Sequence, residues 1–297
     1  MKPSASHTVP IRGLAYHVRS WGDPGAPKLF MLHGWMDVGA SFQFLVDALR
    51  RDWQVIAPDW RGFGLSEWCA DGYWFADYLA DLDALLDRFA PDEPTRLVGH
   101  SLGGNVVMLY AGVRPQRVAR VVSLEGFGIP AESPDVAPAK MTKWLDALRN
   151  PPSFRPYKNL AAVADQLQRN NPRLSRDKAE FLAAHWARTQ PDGSARLSSD
   201  PRHKLPFPTV YRMKEVVATW QQITAPVLWV AATESFIPTW LGAHPEGEAA
   251  ADSLEGIRAR LKQVPHGELL TVDQAGHMLH LDRPEAVAAA IEPFLGS

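Results

Sequence analysis

Short apolar and β-branched runs alternate along the chain with stretches in which apolar residues return every three or four positions. Runs of the first kind are GLAYHVRS (13–20), KLFMLHG (28–34), WQVIAPD (53–59), TRLVGHS (95–101), RVVSLEG (120–126), PVLWVAA (226–232) and GELLTVD (267–273). Each reads as a strand. Between them, Phe75, Tyr78, Leu79, Leu82, Leu85, Leu86 and Phe89 form one stripe of helical period, which predicts a helix over 74–89 with a single buried face. Phe42, Leu45, Val46 and Leu49 predict another, with Ser41 as its N-cap, and Pro284 stands where the last helix should begin. Such alternation predicts an α/β fold, a mostly parallel sheet covered by helices on both faces.

The segment from about 130 to 210 breaks the alternation. It holds 11 of the chain's 25 prolines, yet keeps helical patches such as Met141, Trp144, Leu145 and Leu148. Unstructured connections of that length are uncommon, so the segment predicts a helical cap (130–210) on a core formed by 1–129 and 211–297.

Composition narrows the chemistry. The 297 residues are 46% hydrophobic with a formal net charge of −2, which argues against disorder and against an electrostatic grip on nucleic acid. A small-molecule partner is expected, and nothing bears on oligomeric state. The single cysteine, Cys69, allows no internal disulfide and offers no zinc-binding cluster, which fits a reducing compartment, with cytoplasm as the default. No signal peptide and no run of the roughly 20 apolar residues needed for a membrane span is visible.

The sharpest local signal is LVGHSLGGN (97–105). A serine on a tight strand-to-helix turn needs small neighbours, and Gly99, Gly103 and Gly104 supply them. The turn displays the Ser101 hydroxyl and aims the first N–H groups of the next helix at any oxyanion formed on it. Serine is a poor nucleophile without a base in reach. His277, in DQAGHMLHLDRPE between the last strand and the last helix, is best placed to hang over the same sheet edge. His280 is the nearest competitor. His100 should point away from the serine, and His33 should order its own loop.

LHGW, DWRGFGLS, GHSLGG and AGHMLHLDRPE, in this order and spacing, resemble the α/β-hydrolase superfamily. More narrowly, MLHGWMDVGASF with NNPRL and DPRHKLP resembles the serine hydrolase-like proteins. The resemblance implies an α/β-hydrolase fold of about eight strands with a cap between the sixth and seventh. It also implies a triad ordered serine, acid, histidine, and no cofactor or metal. The oxyanion hole would come from the backbone N–H groups of Leu102 and Trp35. Asp59 and Arg61 would organise their loop, with Gly62 and Gly64 giving it the turn.

The acid has two candidates. Family members place an aspartate after the seventh strand in a Gly-x-x-Asp-x-x-x-Pro arrangement; here AATESFIP puts Glu234 at that position. Glu125, in VVSLEGFG, lies where the sixth strand meets the carboxyl edge, as in hydrolases that draw their acid from that strand. The expected reaction is cleavage of a small or medium apolar carboxylic ester through an acyl-enzyme on Ser101, with Trp35, Trp144 and Trp186 lining an apolar pocket. The same residues also suit C–C bond hydrolysis, lactone opening or peracid formation, and a non-catalytic binding protein would keep the same pocket.

Overall fold

The computed structural model describes residues 1–242 and 254–296. In chain order its strands are β1 (Ser4–Ile11), β2 (Leu14–Trp21), β3 (Lys28–Leu32), β4 (Gln54–Pro58), β5 (Thr95–His100), β6 (Val118–Leu124), β7 (Ala187–Thr189), β8 (Ala195–Leu197), β9 (Val227–Ala232) and β10 (Gly267–Val272). The helices are α1 (Gln43–Ala48), α2 (Phe75–Phe89), α3 (Leu102–Val113), α4 (Ala137–Arg149), α5 (Leu160–Asn170), α6 (Arg176–Trp186), α7 (Met213–Trp220), α8 (Ile237–Gly242), α9 (Glu255–Leu261), α10 (Leu279–Asp282) and α11 (Pro284–Gly296). Eight strands form one sheet in the order β1-β2-β4-β3-β5-β6-β9-β10. From β4 through β10 neighbours run parallel, while β1 and β2 add an antiparallel edge.

Each face of this sheet has its own core. One gathers Phe30, Leu97, Val106, Met108 and Trp229 beneath the α2 stripe of Leu82, Leu85 and Leu86. The other packs Met31, Val98, Val122 and Val230 against Phe42 and Leu45 of the α1 region and Val287, Ile291 and Leu295 of α11. The strands therefore bury both sides, which explains why β5, β6 and β9 read as continuous apolar runs.

Two local expectations are corrected. Strand β1 was not expected from the sequence, because SASHTVPI buries only Val9 and Ile11 at the sheet edge and so lacks an apolar signature. Ser41 is not a helix cap: it sits inside a 3-10 turn (Gly39–Phe42), and its hydroxyl donates to the Asp37 carboxylate instead. Helix α1 starts after Phe42 with no side-chain cap.

Between β6 and β9 the chain leaves the sheet through α4, α5, α6 and the small β7–β8 hairpin. Val163, Leu167, Leu174, Ala179 and Leu182 make a separate apolar cluster that closes onto Leu281 of α10. The helix expected around Met141 and Leu148 is present as α4, but its apolar residues face outward, with Met141, Leu145 and Leu148 all exposed.

Candidate active site

Strand β5 ends at His100, and the chain turns into α3 through Ser101, whose backbone is left-handed (φ 51°). Its N–H is held by the Leu124 carbonyl at 2.8 Å. The turn is tight enough that a Cβ on Gly99 would overlap the Gly103 carbonyl, and one on Gly103 would overlap the Leu32 carbonyl. A Cβ on Gly104 would come within 2.5 Å of Ser123 Oγ. Only glycine lets the strand and helix approach this closely.

The loop after β10 brings His277 over the serine, with Nε2 3.0 Å from Ser101 Oγ. On the far side of the ring, Nδ1 lies 3.3 Å from Glu125 Oε2. Because a carboxylate only accepts, Nδ1 carries the proton and Nε2 presents its lone pair to the hydroxyl. Phe236 packs against the imidazole with ring centroids 5.0 Å apart.

The carboxylate that meets His277 is thus Glu125, fully buried at its side chain. It is also left-handed (φ 57°), a conformation that costs a non-glycine residue about 1–3 kcal/mol. The Ala232 N–H donates to Oε1 at 2.7 Å, and the Ser235 hydroxyl donates to Oε2. The chain at the end of β9 therefore fixes the Glu125 carboxylate through the Ala232 N–H and through Ser235, a residue with no signal in the sequence. Glu234, at the position where the family pattern expects an acid, points elsewhere: it is half exposed and pairs with Arg173 of the inserted segment. The structure does not bring Glu234 to His277.

Other residues fall as follows. His100 is buried and donates through Nε2 to the His277 carbonyl at 2.8 Å, holding the backbone of that loop. His280 is buried beside His100, ring centroids 4.4 Å apart, rather than over the serine. His33 donates to the Gly34 carbonyl and accepts from the Trp60 N–H, and burial pushes its pKa down to about 4. Asp59 accepts from the Gly39 and Leu65 N–H groups and from His17, while Arg61 is locked onto Asp81. Gly62 and Gly64 both take positive φ there.

Gly34 approaches so closely that a Cβ on it would lie 3.2 Å from Ser101 Cβ, which sets the His33–Trp35 loop against the serine. Leu102 opens α3, where first-turn N–H groups lack helical acceptors. Of the tryptophans, Trp35 is exposed, Trp144 packs near Trp74 (6.2 Å between ring centroids), and Trp186 donates to Asp37 Oδ1 at 3.0 Å.

The model of the alpha/beta hydrolase fold family matches residues 27–284, which takes in Ser101, Glu125 and His277. The chain belongs to the α/β-hydrolase family. It is 28% identical over 289 residues to a serine hydrolase-like protein of Danio rerio, covering 93% of this chain and 83% of that one. It is 30% identical over 291 residues to lipase LipV of Mycobacterium tuberculosis, covering 94% and 97%. A hypothetical protein from Pseudomonas aeruginosa PAO1 of known structure superposes with a TM-score of 0.83 at 27% identity, covering 98% of each chain. This α/β hydrolase is thus similar to a serine hydrolase-like protein and to a lipase along nearly its whole length, and among its described residues no helix is long and apolar enough to cross a membrane.

Proposed function

We propose that this α/β hydrolase cleaves small or medium apolar carboxylic esters through an acyl-enzyme on Ser101. The observation that carries this reading is the 3.0 Å contact between Ser101 Oγ and His277 Nε2, with Glu125 behind the ring. Ser101 Oγ attacks the ester carbonyl as His277 Nε2 takes the hydroxyl proton, and Glu125 stabilises the resulting imidazolium. That proton then passes to the departing alcohol. Water repeats the sequence in reverse, freeing the acid and restoring the serine. Backbone N–H groups of Leu102 and Trp35 serve as the oxyanion hole, in which one donor is worth about 2.7–4 kcal/mol at the transition state.

In this reading the segment 130–210 is a cap over the site. Its position between β6 and β9, and its ties to the loops around Ser101, support that role. An ester substrate agrees with LipV being a lipase, and the exposed Trp35 and Phe236 offer apolar surface beside the serine.

The test is a series of nitrophenyl esters of rising acyl length together with a fluorophosphonate probe. Wild type should turn over the shorter esters and carry the probe on Ser101, whereas Ser101→Ala should stay folded, lose labelling and lose turnover by orders of magnitude. Labelling without turnover of any ester would reject the ester assignment. No labelling at all would reject the nucleophile.

A further inference from the structure

Behind the Ser101–His277 pair lies a second cluster that the proposed ester chemistry does not use. Asp37, from the loop after β3, His100, the last residue of β5, and His280 of α10 are 2%, 1% and 0% exposed. Each offers one ligand atom, and these atoms all lie within 4.8 Å of one another. Among the described residues, Asp37 Oδ2, His100 Nδ1 and both ring nitrogens of His280 have no hydrogen-bond partner. Buried polar atoms in native proteins are nearly always satisfied, so four orphans in one place call for an occupant.

The remaining polar atoms of the cluster define what that occupant must be. Asp37 Oδ1 accepts from Ser41 Oγ, the Val38 N–H and Trp186 Nε1. His100 Nε2 faces the His277 carbonyl at 2.8 Å and must therefore carry the proton, which leaves Nδ1 as a bare lone pair. Neither ring nitrogen of His280 has a partner among the described residues, and a neutral imidazole always keeps one lone pair, so His280 also offers one. A single water that donates to His100 Nδ1 and Asp37 Oδ2 and accepts from a His280 N–H satisfies three of the four atoms but leaves the carboxylate's charge without a positive partner. A cation accepts a lone pair from each of the three side chains and sets a positive charge beside the Asp37 carboxylate, whose hydrogen-bond partners Val38, Ser41 and Trp186 are all neutral.

We propose that Asp37, His100 and His280 bind a single divalent cation of borderline softness, of the Zn²⁺ or Co²⁺ type. Two imidazoles and one carboxylate are the donor set of such ions, whereas Ca²⁺ and Mg²⁺ favour all-oxygen sites. Ligands about 2.0–2.2 Å from a metal lie about 3.4 Å apart in a tetrahedron, so the three side chains draw together slightly on binding. Bound there, the ion ties the β3 loop, the β5 end and α10 to one point.

The experiment is a metal-retention assay on the full chain. Wild-type protein is stripped with chelator, refolded with Zn²⁺ or Co²⁺, and passed through gel filtration before elemental analysis. One equivalent per chain should be retained, the melting temperature should rise because the ion binds only the folded state, and Co²⁺ should give the visible bands of a low-coordinate nitrogen-oxygen site. His280→Gln and Asp37→Asn should each weaken retention at least tenfold. Retention well below one equivalent in the wild type, or unchanged retention in both variants, overturns the proposal. If neither variant folds, the wild-type Co²⁺ spectrum decides, and octahedral, solvent-like bands overturn it.

Discussion

At the residue scale, two glutamates separated by the width of one loop have different surroundings. Glu125 is buried against His277 with two donors on its carboxylate, and Glu234 is half exposed on Arg173. Glu125→Gln keeps the shape but cannot stabilise an imidazolium, so kcat/KM for a nitrophenyl ester should fall about 10²–10⁴-fold. Glu234→Gln removes a surface ion pair, and stability should change by no more than about 1 kcal/mol in urea unfolding, with kcat retained. The meeting of Ser101 and His277 is legible in the sequence because both follow strands that end at the same sheet edge. Glu125 is legible as one of two candidates for the partner of His277, but the choice between it and Glu234 is not, because it depends on the left-handed backbone of Glu125 and on the Ser235 hydroxyl, which leave no mark in hydrophobic pattern.

At the element scale, the β5–α3 turn is set by backbone contact. Gly103→Ala places a methyl group on the Leu32 carbonyl, where nothing can rotate away. A loss at the upper end of the usual overpacking range, about 3 kcal/mol, is expected in chemical denaturation. The glycine pattern made that turn readable, whereas β1 stayed hidden because an exposed edge strand needs no apolar run. The two motifs of the inserted segment show a physical reason for their composition only in three dimensions. In DPRHKLP, His203 is sandwiched between Phe63 and Tyr73 at 3.7 and 3.6 Å. In NNPRL, Asn171 donates to Asp282 at 2.7 Å. His203→Ala should speed proteolytic cutting within 130–210 while the sheet core resists, as read by the fragment pattern over time.

At the scale of the whole molecule, buried neutral histidines make stability depend on pH. Burial pushes His33 down to about 4 and His203 to about 3, while in the unfolded chain each titrates near 6.5. Below 6.5 the unfolded state takes up protons that the folded state refuses, so stability falls as pH falls, down to the folded-state values. Each of these two residues should remove on the order of 2 kcal/mol between pH 7 and pH 5. Urea midpoints across that range check the sign, and His203→Gln should flatten the slope by its share. The fold class is legible at this scale because βα alternation spans the chain, and the cores on the two sheet faces follow from it.

The inserted segment is fastened to the core at two separate places, by the His203 sandwich on Phe63 and Tyr73 and by the Asn171–Asp282 bond. A flap hinges along one side, but an arch with both feet planted cannot swing. In the proposed function, with this segment as the cap, entry to the serine is then a matter of side chains stepping aside beneath the span, which predicts faster turnover of slim acyl chains than of bulky ones.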